Sequence, residues 1–115
     1  EFTSFGAQEV VLRCNLGAQH ARPGGTISGP VMMALADVVA YACILARNPA
    51  AKSSVTVGFN VHFFRRPAPE YICAHGRIMK MGKRLAFMDI TLFQEDIAYP
   101  VGQVTCSYAV AEGDG

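Results

Sequence analysis

The 115-residue sequence lacks a low-complexity tract, an internal repeat and a strong excess of either charge. Its net charge at pH 7 is +1, so it has no global basic field of the kind that binds a polyphosphate backbone, which argues against a nucleic-acid partner. Charged residues make up 17% of the chain and hydrophobic residues 51%, a composition that excludes a disordered or fibrous protein. We therefore expect one globular domain over residues 1–115.

Paired cysteines are also missing. Cys14, Cys43, Cys73 and Cys106 form no C-x-x-C pair, and no His stands beside them at the spacing of metal ligands. This pattern predicts reduced thiols in a cytoplasmic protein and gives no indication of a metal site.

Charge is nearly absent from residues 30–46, where Asp37 is the only charged side chain. A bilayer span needs about 20 predominantly apolar residues and penalises a central Asp by about 2.5–3.5 kcal/mol, so this run is short and unfavourable for a span. We interpret it as a helix surrounded by protein on most sides. Ser28 is a good N-cap and Pro49 a stop, which predicts a helix from Gly29 to Ala46.

The rest of the chain shows the two-residue period of strands. Residues 54–64 alternate, with one predicted face of Val55, Val57, Phe59, Val61 and Phe63 and another of Ser54, Thr56, Asn60 and His62. Strand-like runs follow at 70–80, 84–94 and 98–110, joined by tight turns, and residues 2–5 and 9–16 supply strands before the helix. The order predicts an α+β fold in which one antiparallel sheet curls around one long apolar helix.

Three segments together resemble a known family: "GGTISGPVMMALADVVAYAC" opens the helix, "VTVGFNVHFFRRPA" follows it, and "GKRLAFMDITL" comes later. Over about Val10–Val110 the chain is similar to hotdog-fold acyl-CoA thioesterases of the phenylacetate-degradation (PaaI) type. The resemblance implies a hotdog fold and an enzyme that hydrolyses an acyl-CoA thioester to a free carboxylic acid and coenzyme A. It implies no cofactor and no metal.

The same resemblance implies the site residues. The backbone N–H of Gly29 would bind the thioester carbonyl, and Asp37 would attack it or activate water. Thr56 lies where the family often has a Ser or Thr near the reacting centre, and Ser28, at the position of the usual His, completes the candidate catalytic set. The nucleotide end of coenzyme A would contact the basic residues Arg65, Arg66, Lys83 and Arg84.

Thioester chemistry calls for these residue types independently of the family. The transition state carries negative charge on the carbonyl oxygen, and a helix N-terminus presents unpaired N–H groups at its positive end. Gly29 allows a substrate to approach the backbone closely. A poorly hydrated carboxylate is suited to taking a proton from water or attacking directly, and Asp37 has no partner nearby in the sequence to suggest a structural role.

Departures from the family pattern keep other interpretations open. The usual His at the helix start is Ser28, and the Asn commonly found seven residues before the Gly is Arg22. A non-catalytic acyl-CoA-binding or regulatory hotdog protein is therefore the alternative, and a hotdog hydratase is weaker because no Asp and His are paired at the helix start. Ser28 could be an N-cap alone, Thr56 a strand former, and the basic residues ordinary solvated charges.

Helix geometry predicts a site shared between two chains. Gly29 and Asp37 are eight residues apart, so about 12 Å separates them along the axis and they face different directions. If both act on one thioester, they come from different protomers with antiparallel helices, which predicts a homodimer. The strand after the helix is the candidate for the edge that pairs across the two-fold axis, and the resemblance implies that two dimers join as a homotetramer.

Overall fold

The computed structural model describes residues 2–6, 8–15, 21–22, 26–68 and 70–111. The elements in chain order are β1 (Phe2–Phe5), β2 (Val10–Asn15), β3 (Ala21–Arg22), β4 (Thr26–Ile27), α1 (Gly29–Arg47), β5 (Val55–Phe63), β6 (Tyr71–Met81), β7 (Leu85–Phe93) and β8 (Gly102–Ala109). One antiparallel sheet has the strand order β1-β2-β6-β7-β8-β5, and β3 pairs with β4 separately. Helix α1 packs against β6, β7 and β2. The predicted α+β hotdog arrangement is confirmed.

Helix α1 begins where the sequence predicts and ends one residue later, at Arg47. Its N-cap is Ser28, whose Oγ accepts a hydrogen bond from the Val31 N–H at 3.3 Å. At the other end, the N–H of Asn48 donates to the Ile44 carbonyl at 2.8 Å. Local capping therefore fixes both ends of the helix.

The sheet covers one face of α1. The buried residues on that face are Met32, Leu35, Ala36, Val39, Ala40, Ala42, Cys43 and Ile44. By length and by its mean hydropathy of 1.8, the helix could cross a membrane, but core helices also meet these two criteria. Its packing against the sheet is that of a core helix. Within one chain, however, the helix is not surrounded on most sides, because Met33 and Val38 remain 38% and 51% exposed.

Strand β5 lies at an edge of the described sheet and contains a β-bulge at Val57. Thr56 and Gly58 pair with consecutive residues of β8, so Val57 is the extra residue. After the bulge, the residues of β5 lie on the two faces that the alternation predicts. Before the bulge, the two faces are exchanged. Thr56 therefore points toward α1, whereas Val55 is 58% exposed, and the predicted grouping of Val55 and Val57 with the core-facing residues is wrong.

The connection between β7 and β8 also differs from the predicted tight turn. The sequence pattern predicts a strand from residue 98, but β8 begins at Gly102. Asp96 closes a local turn: its side-chain Oδ1 accepts from the Ala98 N–H at 2.9 Å and its carbonyl accepts from the Tyr99 N–H at 3.0 Å. Asp favours turns through such side-chain contacts, which keeps these residues out of the ladder.

The close contact between β6 and α1 predicts the effect of Gly76→Ala. A Cβ at this position would lie 2.5 Å from Val39 Cγ1 and 3.0 Å from Cys43 Sγ, and both side chains are buried. We expect the variant to lose about 1–3 kcal/mol of unfolding free energy in urea titrations. Gly82→Ala is the control, because its nearest contact would be an ordinary 3.5 Å. Equal stability of the two variants would contradict a tight helix–sheet contact.

Candidate functional site

The carboxylate of Asp37 lies halfway along α1, beside a cavity of about 360 Å³ between the helix and the start of β5. Its Oδ1 accepts a hydrogen bond from Thr56 Oγ1 at 2.7 Å and another from the Tyr108 hydroxyl at 2.6 Å. Thr56 is a residue that the family resemblance implies to lie near the reacting centre. Tyr108 is not among the predicted residues. The carboxylate is therefore paired, with two hydroxyl groups replacing water at one of its oxygens.

The two hydroxyl groups converge because Thr56 and Tyr108 are directly opposite each other in the adjacent strands β5 and β8. Opposite residues in an antiparallel pair share a face of the sheet, with Cβ atoms about 4.5–5.5 Å apart. The bulge at Val57 is what turns Thr56 to the helix side, since a one-residue shift exchanges the two faces of a strand.

Tyr108 is 2% exposed, and its environment favours the neutral phenol. Burial raises the pKa of Tyr108 well above its ordinary value, and the hydrogen bond to Asp37 raises it further. A sequence signal for this residue exists in the alternation of β8, which puts Val104, Cys106 and Tyr108 on the inward face. A buried tyrosine hydroxyl needs a polar partner, and the central Asp37 is a candidate for it.

The thiols near the carboxylate are not nucleophiles. Burial raises the pKa of Cys106 to about 12, with the charge of Asp37 as the second cause, and burial raises the pKa of Cys43 to about 11. The thiolate is the reactive form, so both are inert at neutral pH. All four cysteines are free, as predicted. Among the described residues, no three His, Cys, Asp or Glu side chains are grouped to hold a metal ion.

A second cavity, of about 720 Å³, opens at the N-terminal end of α1. Gly29 forms part of its wall, and the Phe63 ring lies 3.5 Å from the position that a Cβ on Gly29 would occupy. Arg65 and Arg66, just beyond the end of β5, line the same cavity. The structure thus brings the predicted carbonyl-binding residue together with two of the four predicted coenzyme-binding residues.

The first turn of α1 leaves one backbone donor available. Pro30 has no N–H, and the Val31 N–H is taken by Ser28 Oγ. The N–H of Gly29 has no acceptor within the part of the chain that the structure describes. Ser28 therefore acts as the N-cap, and the free donor is the one to which the family resemblance gives the binding of the thioester carbonyl.

The other two basic residues lie at the opposite end of the helix. Lys83 and Arg84 belong to the turn between β6 and β7, where Lys83 lines a cavity with the C-cap residue Asn48. A 19-residue helix is about 28 Å long at ~1.5 Å per residue. The structure therefore does not bring the four basic residues together within one chain.

Gly29 and Asp37 are also kept apart within one chain. Their cavities have no lining residue in common. The two residues belong to one continuous helix, which separates them by about 12 Å along its axis. One chain therefore presents a carboxylate site and a backbone-donor site, but not both around one position.

Comparison with known proteins identifies the family. The profile described as the Thioesterase superfamily matches residues 24–101, more than half of the chain. A Pseudomonas aeruginosa protein named "Putative esterase" is 31% identical over 87 residues, which are 74% of this chain and 64% of that protein. The chain thus spans just under two thirds of that relative's length.

Solved structures share the fold. A Silicibacter sp. protein named a "putative thioesterase" is 35% identical, with a TM-score of 0.83 over 96% of this chain and 77% of that chain. A hypothetical thioesterase of Streptococcus pneumoniae, solved with coenzyme A, is 14% identical, with a TM-score of 0.87 over 100% of this chain and 88% of that chain, a likeness of fold alone. With a matching profile and a sheet wrapped around one central helix, the chain belongs to the thioesterase superfamily and has its hotdog fold.

Proposed function

We propose that this chain is an acyl-CoA thioesterase of the PaaI type, which hydrolyses a thioester to a free carboxylic acid and coenzyme A. The observation that carries the proposal is a carboxylate in the middle of an apolar helix, that of Asp37, held at one oxygen by Thr56 and Tyr108. Membership of the thioesterase superfamily supports the class of reaction. The Streptococcus pneumoniae structure, which contains coenzyme A, supports that coenzyme as the ligand.

In the proposed reaction, the thioester carbonyl oxygen accepts a hydrogen bond from the Gly29 N–H. Negative charge that develops on this oxygen is stabilised there by the positive end of the α1 dipole. Oδ2 of Asp37 attacks the carbonyl carbon or takes a proton from an attacking water. Collapse of the tetrahedral intermediate breaks the C–S bond, and the departing thiolate takes up a proton, from protonated Asp37 when water attacks and from solvent when Asp37 attacks. When Asp37 attacks, the collapse leaves an acyl anhydride on Asp37, and a water molecule then hydrolyses it to the free acid. Water is consumed, and a carboxylic acid and coenzyme A are released.

We further propose that each site combines Gly29 of one chain with Asp37 of a second chain, across antiparallel α1 helices of a homodimer. The distance of about 12 Å within one chain requires this if both residues act on one thioester. Exposed apolar residues beside the carboxylate support a covering chain: Met33 38%, Val38 51%, Val55 58% and Val57 58%. A homotetramer made of two such dimers is the larger assembly that the family resemblance implies.

The basic residues acquire a common role in the same dimer. With Gly29 of one α1 opposite Asp37 of the other, the C-terminal end of each antiparallel helix extends about 15 Å beyond the N-terminal end of its partner, on the same side of the dimer. Arg65 and Arg66 of one chain then lie on the same side of the dimer as Lys83 and Arg84 of its partner. We propose that this combined set binds the phosphates of coenzyme A, for which guanidinium groups and ammonium groups are suited.

The cysteines suggest the compartment of the proposed enzyme, and its reaction decides whether a cofactor is needed. Four free cysteines are typical of a reducing compartment, so we propose a cytoplasmic location. Thioester hydrolysis uses water as its only second substrate, so the proposed reaction requires no cofactor.

A non-catalytic acyl-CoA-binding or regulatory protein is the second candidate, and the start of the helix favours it. Ser28, at the position of the usual His, is engaged as an N-cap, and Pro30 removes another donor. The N-terminal end of α1 therefore offers a substrate fewer hydrogen-bond donors than the family pattern does. This candidate predicts binding of acyl-CoA without turnover.

The first test of the proposed function is Asp37→Asn. Asparagine keeps an oxygen that can accept from Thr56 and Tyr108 but can neither attack nor take a proton. We expect release of free thiol from a panel of aromatic, medium-chain and long-chain acyl-CoAs to fall by about 10²–10⁴-fold in kcat. The thermal midpoint should show that the variant remains folded.

Asp89→Asn is the matched control, because it removes the same charge from a residue that pairs with Arg77 rather than facing α1. Its kcat should stay near that of the wild type. Near wild-type turnover by Asp37→Asn would remove this residue from the mechanism. Wild-type protein that binds acyl-CoA and hydrolyses no member of the panel would establish the binding protein instead.

Subunit complementation tests the shared site. Asp37→Asn and Gly29→Val are each expected to be inactive, the second because its side chain blocks the approach to the backbone N–H. After subunit exchange at equal concentrations, half of the dimers are mixed and each has one intact site. Recovered activity should therefore reach about one quarter of the wild-type value.

Exchange itself can be verified with two different affinity tags on the two variants. Mixed dimers captured through both tags but devoid of activity would contradict the shared site. A fully active monomer at low protein concentration would do the same.

The basic residues should affect binding more than chemistry. Arg65→Ala and Lys83→Ala are expected to raise KM with little change in kcat, and the wild-type KM should rise with ionic strength. Arg77→Ala is the control, because it removes an exposed positive charge from a strand position paired with Asp89. Unchanged kinetics in the first two variants, with a KM insensitive to salt, would show that these charges are only solvated.

A further inference from the structure

We propose that Tyr108 is a positioning residue for Asp37: with Thr56 it fixes Oδ1 of the carboxylate and so presents Oδ2 as the reacting oxygen. This inference rests on the proposed thioesterase function. Tyr108 itself does not touch substrate in this scheme. It acts through the carboxylate.

The two oxygens of Asp37 have different surroundings. Oδ1 accepts from Tyr108 at 2.6 Å and from Thr56 at 2.7 Å. No residue that the structure describes donates to Oδ2. Every buried side-chain oxygen in the described part of the chain has a hydrogen-bond partner, so Oδ2, which has none, reaches solvent. One oxygen is thus committed to the protein, and the other is open to the cavity.

The Tyr108 hydroxyl has little freedom to do anything else. It lies 2.6 Å from Oδ1 and 3.1 Å from the backbone carbonyl of Asp37, and the shorter contact is to the charged acceptor. Burial and the hydrogen bond to Asp37 both raise the pKa of Tyr108, so the phenol remains a donor throughout the neutral range. The other titratable group that shifts this phenol is Cys106, whose own pKa is raised to about 12 and which stays neutral there.

The ring that carries this hydroxyl is held by a second tyrosine. Tyr41 stacks against Tyr108 with ring centroids 6.4 Å apart and an interplanar angle of 25°. The ring of Tyr41 makes this contact, whereas its hydroxyl donates elsewhere, to the Lys52 carbonyl at 2.6 Å. Tyr108 therefore approaches the carboxylate from a fixed position on β8, as a positioning group must.

Loss of the Tyr108 hydroxyl should lower kcat more than it changes KM. A reacting group displaced by about 1 Å can lose about 10²-fold in rate, because attack needs a narrow range of distance and direction. Thr56 would still hold Oδ1 through one bond, so we expect a fall in kcat of roughly 10-fold to 100-fold. Substrate binding at the Gly29 end is unaffected by this change.

Tyr108→Phe is the test, because it keeps the ring and its stacking while deleting the hydroxyl. Tyr41→Phe is the matched control: it deletes the neighbouring hydroxyl, which contacts Lys52 rather than Asp37. We expect the kcat of Tyr108→Phe to fall by the amount stated, with KM within about twofold, and the kcat of Tyr41→Phe to stay near the wild-type value. Both variants should be assayed well below their melting temperatures.

A double variant separates positioning of the carboxylate from a loss of packing. In an Asp37→Asn background, Tyr108→Phe should cause no further loss, because its effect passes through the carboxylate. A further loss in that background would overturn the inference.

The outcomes distinguish a failure of the proposed thioesterase function from a failure of the role inferred for Tyr108. A wild-type protein inactive on the whole acyl-CoA panel would overturn the proposed function and this inference with it. An active wild type whose Tyr108→Phe variant keeps its kcat would overturn the inference alone. If Tyr108→Phe does not fold, Thr56→Val tests the same oxygen from β5, and an unchanged kcat there would equally overturn the fixing of Oδ1.

Discussion

A carboxylate placed against a packed helix–sheet interface is unfavourable unless hydrogen bonds replace its water, and this constraint at Asp37 organises much of its surroundings. Helix α1 supplies no side-chain donor to it, so the donors come from the sheet. A sheet can direct two hydroxyl groups at one oxygen where two inward-facing polar residues stand opposite each other, as Thr56 and Tyr108 do. The bulge in β5 is the backbone feature that makes this pairing possible, since it brings Thr56 to the inward face.

The same arrangement explains why the carboxylate is stable and still accessible. Strand β5 is the last strand at its edge of the described sheet, so the sheet stops just beyond the residues that bind Oδ1. Oδ2 therefore lies at the border between the covered face of α1 and its uncovered apolar face. A carboxylate deeper under the sheet would lose solvent entirely, and one on the open face would lose its donors. Its position at the border satisfies both requirements.

Sequence patterns predicted the elements well where the information is local. Ser28 and Pro49 marked the ends of the helix because capping and ring geometry depend on immediate neighbours. Two-residue alternation located the long strands. The two-residue strands β3 and β4 are too short to show any period, and the turn at Asp96 interrupts a run that otherwise alternates.

The site was predicted only in part, because its decisive contacts join distant parts of the chain. Asp37 stood out as a charge in an apolar run, but its partners are 19 and 71 residues away. The bulge was not predictable from alternation, since the extra residue, Val57, is apolar like Val55 and Phe59 and fits an uninterrupted strand. To predict Tyr108 as a partner of Asp37, one must know that β8 pairs with β5 in the register that places Tyr108 opposite Thr56. Sheet topology fixes that register, and local sequence does not.

The start of α1 places a second demand on the proposed reaction. With Pro30 lacking an N–H and Ser28 occupying the Val31 N–H, Gly29 is the one residue in the first turn of α1 whose N–H has no acceptor among the described residues. A single donor fixes the carbonyl oxygen along one direction but leaves the thioester free to rotate about it. Orientation must then come from the surroundings, and the Phe63 ring, 3.5 Å from the position of a Cβ on Gly29, is one wall that restricts that rotation. Coenzyme contacts at the chain's basic residues supply the other restraint in this scheme. In this scheme, the shape of the cavity and the contacts to coenzyme A, far from the reacting carbon, therefore provide the orientation that one donor does not.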